Sequence, residues 1–260
     1  MTEDQDILFE KRGHAAWLTI NRSAKRNSIN AAVIDGIRAG LEQSAGDPAI
    51  RAIVLTGAGD KAFCAGADLS GGTGTFGQNF AEPSQPFANL LRAAHACRLP
   101  LIARVNGTCM AGGMGLLAMC DMAVAADHAM FGLPEVKIGV FPMQVLSVLQ
   151  TLIARRDLME LCITGEPIDA AAAAGMRLVN HVVPSAELDT KLEWLLSRVV
   201  DKSPTAIRRG KYAMAAIADM TFDQAISFTE GQIGVAALTE DAAEGVKAFI
   251  EKRSPVWTGR

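Results

Sequence analysis

The 260-residue chain is short of the residues that carry several common chemistries. It has five cysteines, Cys64, Cys97, Cys109, Cys120 and Cys162, an odd number with no CxxC pair. That excludes a disulfide framework and a zinc site as readings. The four histidines, His14, His95, His128 and His181, are far apart and lack ligand spacing, so no metal centre is expected and they read as structural or surface residues. No GxSxG or Cys/His nucleophile pattern occurs. Charge of one sign is lacking too: 25 Lys and Arg against 28 Asp and Glu leave a net charge of −3. Such a balance gives no basis for nonspecific binding to nucleic acid. No apolar run approaches the ~18 residues of a membrane span, and the acidic start MTEDQDILFEKRG has neither the basic opening nor the apolar stretch of an export signal. The expectation is a soluble protein of a reducing, cytoplasmic compartment, without a membrane partner.

What is present is enough for a large core. Apolar residues make up 50% of the chain and charged residues 20%, which excludes a disordered chain. Strand-like runs at Ala16 to Ile20 and Arg51 to Thr56 flank Ala31 to Leu41, where Val33, Ile34, Ile37 and Leu41 recur at helical spacing. Further apolar runs at Leu101 to Val105 and Met122 to Ala126 make the first half mixed α/β with layered strands. The stretch Gly71-Gly72-Thr73-Gly74-Thr75-Phe76-Gly77 has no apolar period and reads as a surface loop first and a substrate mouth second. After Met143 strand signals fade, apart from Leu178 to Val183, and helix signals take over. Ala170 to Ala174 has high helix propensity, Ser203-Pro204 marks a break, Thr221 with Gln224 has capping-box spacing, and Thr239-Glu240-Asp241 opens a last helix.

Two glycine-centred turns could carry chemistry. Asn106 to Gly115, NGTCMAGGMG, reads as a strand end, paired glycines and then a helix from about Gly112 to Met119. Unpaired backbone N–H groups at such a turn can stabilise a developing oxyanion, because the donors are fixed before charge appears. The plainer alternative is that the glycines only allow tight strand-to-helix packing; the dinucleotide fingerprint is absent. The second turn, KAFCAGADL at Lys61 to Leu69, follows the strand ending near Thr56, so both could face one carbonyl. Phe131-Gly132-Leu133-Pro134-Glu135 adds a carboxylate after a strand, in apolar surroundings that would raise its pKa toward acid/base usefulness.

Together these stretches resemble the crotonase, or enoyl-CoA hydratase/isomerase, superfamily over nearly the whole chain. The similar segments are LTINRSAKRNSI (18–29), GAGDKAFCAGADL (57–69), VNGTCMAGGMGLLAMCD (105–121), FGLPEVKIGVFP (131–142), LCITG (161–165) and EGVKAFIEKRSP (244–255). The resemblance implies an α/β fold, a crotonase-like spiral of ββα units over residues 1–196, with a helical oligomerisation region at 197–260. It implies that Ala67 and Gly112 give the two N–H donors for the thioester oxygen of an acyl-CoA, and that Glu135 is the acid/base. It places Lys25, Arg26, Ala65, Asp68 and Leu69 along the CoA moiety, with Phe249 and Lys252 near its nucleotide end, across a subunit boundary. Lys25 and Arg26 also have a plain reading as exposed loop charges. Coenzyme A would be part of the substrate, and no other cofactor is implied.

The chain departs from the family pattern at two places. Hydratases of the family resemble one another in a Glu three residues after the oxyanion glycine, and that position is Gly115 here. Hydration divides its proton transfers between two carboxylates, whereas moving a double bond needs one; both outcomes stay open, as does a binding or scaffold protein that has lost turnover. After Pro142 the usual Gly-rich helix start is replaced by Met143-Gln144-Val145-Leu146-Ser147, which should reshape the acyl pocket. The resemblance implies a homotrimer or a dimer of trimers, which would cover apolar Phe222, Ile226, Ile233, Val246, Phe249 and Ile250 of the tail, unless that face packs on the chain's own core.

Overall fold

The computed structural model describes residues 5–77 and 79–260; the first four residues of the acidic start and residue 78, just after the glycine-rich stretch, lie outside that range. The chain opens with a hairpin, β1 (Ile7–Arg12) and β2 (Ala15–Ile20), followed by α1 (Ala31–Gly46), β3 (Ala52–Gly57), β4 (Ala62–Cys64) and α2 (Pro86–Ala96). It continues through β5 (Leu101–Val105), β6 (Thr108–Met110), α3 (Gly112–Ala118), β7 (Met122–Ala126) and β8 (Met130–Gly132). Three times it crosses from one sheet to the other, at β3–β4, β5–β6 and β7–β8. Then come α4 (Met143–Leu149), α5 (Arg155–Thr164), β9 (Ile168–Asp169), α6 (Ala170–Gly175) and β10 (His181–Val183). The first sheet has the order β1-β2-β3-β5-β7-β10 and the second β4-β6-β8-β9. Only the β1–β2 and β8–β9 pairs are antiparallel.

The central strands β2, β3, β5 and β7 of the first sheet are buried on both faces, which is why they read as continuous apolar runs. In β3, Ile53 and Leu55 join the larger core with α1, α2 and α3, while Ala52 and Val54 face a second core. The same alternation holds in β2, where Leu18 and Ile20 oppose Ala15 and Trp17, and in β7, where Ala123 and Ala125 oppose Val124 and Ala126. The second core is closed by α7 (Leu188–Val200) through Leu188, Leu192, Leu195 and Val199. The expected boundary at residue 196 therefore falls inside a helix that belongs to both sides of it.

Several details differ from the sequence reading. Strand β1 was not anticipated, because its outer half is exposed and gains its order from pairing with β2. The run Leu178 to Val183 is a strand only at its end: Leu178 and Val179 are buried, and Asn180 pairs with Ala123 through both its backbone N–H and its side-chain oxygen. In the glycine-rich segment Gly71, Gly72 and Gly77 are exposed, and Leu69–Phe76 forms tight 3-10 turns broken at Gly72, where φ is 59°.

After α7 come α8 (Pro204–Ile217), α9 (Phe222–Ala237) and α10 (Glu240–Glu251). Their starts are as expected: Ser203 and Thr239 cap α8 and α10, and Thr221 with Gln224 forms a reciprocal capping box. Among the described residues, no helix is long and apolar enough to cross a membrane. The tail is fastened by Asp241, which is 1% exposed. Its carboxylate accepts hydrogen bonds from Ser203 Oγ at 2.8 Å, Thr258 N at 2.8 Å and Gly259 N at 3.0 Å. Burial opposes the charge, but the bonds from Ser203, Gly259, Thr258 and Thr205 outweigh it and hold the pKa at about 2.

A group whose pKa is depressed by folding stabilises the native state above its unfolded value of ~3.9, and that contribution is lost as pH falls toward 2. Asp241→Ala should therefore cost about 1.5–3 kcal/mol at pH 7, the range for hydrogen bonds to a charged group. In thermal unfolding at stepped pH, the gap between variant and parent should narrow as pH drops below 4. A gap that stays constant would mean that the charge is not what holds the tail.

Candidate active site

Strands β4, β6 and β8 run parallel, with Cys64 facing Cys109 and Met110 facing Gly132. Three chain segments therefore leave the same edge of the second sheet, and they carry Ala67, Gly112 and Glu135. The first two are in near contact. At Gly66, φ is 98°, and a Cβ there would meet Ala111 Cβ at 2.7 Å and Gly112 N at 3.5 Å. A side chain is thus excluded by both conformation and space. A Cβ on Gly112 would lie 3.9 Å from Ala67 N.

Neighbouring amides around Ala67 and Gly112 are engaged. Ile29 donates to Gly66 O and Asp68 to Ile29 O, both at 2.8 Å, while Ala111 donates to Gly132 O at 2.9 Å. Ala67 N–H and Gly112 N–H donate to no backbone acceptor among the described residues. Two adjacent free donors on fixed backbone can receive one oxygen that gains negative charge. Ala111, which sequence reading did not single out, sets the second of them. It has φ 52° and ψ −124°, a conformation L-residues rarely adopt. Its only sequence signal is the glycine that follows it.

Glu135 lies in a 3-10 turn, Pro134–Ile138, that ends on left-handed Gly139. The residue is 8% exposed, and its Oε2 is buried without a hydrogen-bond partner. Desolvation raises its pKa, opposed only by a bond from its own backbone N–H. Cys162 of α5 is a neighbour, its thiol pushed up to about 11 by burial and by the Glu135 carboxylate. A carboxyl group in this state gives and takes protons more readily near neutral pH than an ordinary surface glutamate.

The face of α3 that starts at Gly112 is covered by apolar groups. A Cβ on Gly115 would meet Phe87 Cζ at 3.1 Å and Val145 Cγ2 at 3.3 Å; one on Gly112 would meet Ile29 Cδ1 at 3.1 Å and Phe87 Cζ at 3.9 Å. The altered start of α4 acts here through Val145, since Met143 is 70% exposed. Val145 belongs to the Met143 to Ser147 stretch expected to reshape the pocket, whereas Phe87 carried no signal in the sequence, because it comes from a helix remote in the chain.

The structure gathers Lys25, Arg26, Ala65, Asp68 and Leu69 at one turn. Ala65 donates to Arg26 O at 3.0 Å, and Lys25 Nζ reaches Asp68 Oδ2 at 3.4 Å. Half-buried Arg22, missed by sequence reading, is the centre of this turn: it bonds Ser28 O at 2.6 Å and Asp68 Oδ2 at 2.8 Å. That bond, with the Ser70 contacts, holds the Asp68 carboxyl well below the usual range. Its charge is consumed within the protein, so Asp68 offers a ligand chiefly its backbone. Phe249 and Lys252 are elsewhere, at the end of α10, which packs on α8 and α9; Phe249 is 85% exposed. They share no hydrogen bond or ion pair with the turn among the described residues.

The strained residue gives a test. Ala111→Gly removes the Cβ that disfavours φ 52°, a penalty of about 1–3 kcal/mol for such conformations. The variant should melt several degrees higher by calorimetry while the amide geometry persists. A lower melting temperature would show that packing of the methyl group outweighs the strain.

Comparison with known proteins agrees with this geometry. A family model described as Enoyl-CoA hydratase/isomerase matches residues 10–260. Enoyl-CoA hydratase EchA19 of Mycobacterium tuberculosis is 35% identical over 98% of this chain and 97% of its own. Crotonyl-CoA hydratase of Syntrophomonas wolfei is 34% identical over 96% of both chains. A crystal structure of enoyl-CoA hydratase from Bacillus anthracis superposes with a TM-score of 0.90 at 29% identity, covering 98% of this chain and all of that one. The two-sheet spiral, the paired turns and the full-length match together make this chain a member of the enoyl-CoA hydratase/isomerase family of enzymes.

Proposed function

We propose that the chain binds an acyl-CoA thioester, with its carbonyl oxygen accepting hydrogen bonds from Ala67 and Gly112 N–H, and moves the double bond of an enoyl-CoA through Glu135. The observation that carries this reading is a buried carboxylate, Glu135, with one oxygen unpartnered, carried at the same end of the second sheet as two free amides. In a 3-enoyl thioester the carboxylate takes a proton from C2, the C2=C3 bond forms as C3=C4 opens, and negative charge passes through the thioester oxygen. The two amides stabilise that charge. The same carboxyl group then returns the proton to C4. No electron leaves the substrate, so the relay needs no redox cofactor.

Water addition is the second reading, favoured by relatives named as hydratases. It requires a hydroxyl delivered to the β carbon and a proton to the α carbon, and Gly115 supplies no second group for that division. A non-catalytic binder is the weaker alternative, since an unpaired buried carboxylate costs stability that binding alone does not require. Lys25, Arg26, Ala65, Asp68 and Leu69 would follow the CoA moiety, and Phe249 and Lys252 would reach its nucleotide end from a neighbouring copy.

Residues 197–260 are assigned to assembly and residues 1–196 to CoA binding. In α9 no residue is buried, and Phe222, Ile233 and Leu238 are 77%, 69% and 86% exposed. This face does not pack on the chain's own core, and burial by another copy would remove it from water. Sedimentation at micromolar concentration should give a trimer or a dimer of trimers, with Ile233→Asp shifting it toward smaller species. A monomeric parent would reject the assembly.

Glu135→Gln keeps the shape and removes the exchangeable proton, so turnover of 3-enoyl-CoA should fall by about 10²–10⁴ with thioester binding nearly unchanged. In the parent, the base must be deprotonated, so kcat/KM should drop as pH falls through a pKa above the ordinary glutamate value. Full activity in Glu135→Gln would remove the acid/base assignment.

A further inference from the structure

Phe87 stands on the first turn of α2, directly after Pro86. Its ring edge spans the positions of two missing side chains one helical turn apart, 3.9 Å from a Cβ built on Gly112 and 3.1 Å from one built on Gly115. It therefore flanks the amide that receives the thioester oxygen and covers the α3 surface next to it. With the carbonyl held at the Gly112 amide, the α and β carbons that follow it would pass along this ring. Ile29 and Val145 complete the wall: the nearest atoms to the Gly115 position are all carbon, and at Gly112 the amide nitrogen of Ala67, at 3.9 Å, is the polar atom among them. The ring is held from outside: Gln144 of α4 donates a hydrogen bond to Gln85, the cap of α2, and ties the start of α2 to the helix that carries Val145.

We propose that Phe87 is a specificity-determining residue that keeps water from the β carbon and thereby sets the partition between double-bond migration and water addition, with the Gln85–Gln144 bond as its positioning element. The inference rests on the acid/base reading of Glu135. A wall of ring carbon cannot hold or polarise a water, whereas a space lined by backbone and a carboxylate can. With the ring in place, Glu135 returns its proton to C4 of the enolate-like intermediate, and the 2-enoyl thioester leaves unhydrated. With the ring removed, a water can add its hydroxyl to the β carbon of that 2-enoyl thioester and a proton to its α carbon, giving the 3-hydroxyacyl thioester.

The test uses the full-length parent, Phe87→Ala, Gln144→Ala and Glu135→Gln with a short straight 3-enoyl-CoA, and separates 2-enoyl-CoA from 3-hydroxyacyl-CoA by chromatography and mass. Phe87→Ala should raise the ratio of hydrated to migrated product by about tenfold or more, within the selectivity range of an altered apolar pocket. Gln144→Ala, which leaves the ring in the chain, should shift the ratio the same way by a smaller factor and covers the case in which Phe87→Ala does not fold. A purely structural role would lower both products together. Ratios unchanged in both variants, with Glu135→Gln inactive, overturn the role of Phe87 alone. Turnover retained by Glu135→Gln overturns the acid/base reading instead, whatever Phe87 does.

Discussion

The close approach of two turns at Gly66 is the constraint on which the site depends. Strands β4 and β6 are neighbours in one sheet, so the segments that leave them must pass each other within a few ångströms. With a side chain at Gly66, Ala111 and Gly112 would be pushed away, and the two free amides would no longer converge on one point. Other parts support this contact from behind. Asn106 accepts from Gly57 N at 3.2 Å and donates to Gly59 O at 2.7 Å, while Asn27 donates to Ala62 O at 2.6 Å. These buried amides satisfy the β3–β4 turn where water cannot reach, and so fix the angle at which β4 starts.

Two features of the site are unfavourable on their own. Ala111 sits in a conformation that a glycine would adopt more easily, and Glu135 is buried with one oxygen unpaired. Both lie against the larger core, where Phe63, Met114, Leu116 and Phe131 are fully buried. Packing of that kind is stiff and can over-determine a strained turn. The local cost and the global stability belong to one arrangement, because the strands that carry the core are the strands that end at the site.

Legibility in the sequence followed the range of each interaction. Helix α1 was readable from the spacing of Val33, Ile34, Ile37 and Leu41, and the caps of α8, α9 and α10 from residues within four positions of one another. Strands β4, β6 and β8, of three residues each, are too short for a period to show; they exist because they pair. The two glycine-centred turns and Glu135 were identified through the glycines and the proline around them, which are local, and Ala67 and Gly112 through the family resemblance that those stretches carry. Arg22 and Phe87 could not be. Arg22 acts on Asp68, 46 positions away, and Phe87 acts on an empty place beside Gly115, which no residue in the sequence marks.

That empty place bears on how the departure at Gly115 should be understood. A deleted side chain inside a packed region leaves a cavity unless neighbours move in, and cavities cost stability in proportion to their volume. Here the space is taken from two directions, by the ring of Phe87 on α2 and by Val145 on α4. The start of α4 and the start of α2 are in turn joined through Gln144 and Gln85. The glycine, the phenylalanine and the altered helix start are therefore one packing solution and not three separate changes. The place beside Gly115 is lined by hydrocarbon and not left as a gap, and Glu135 remains a buried carboxylate of the site. Such a lining preserves the proton-carrying half of the site and alters what can stand next to it, which is how chemistry can change on an unchanged fold.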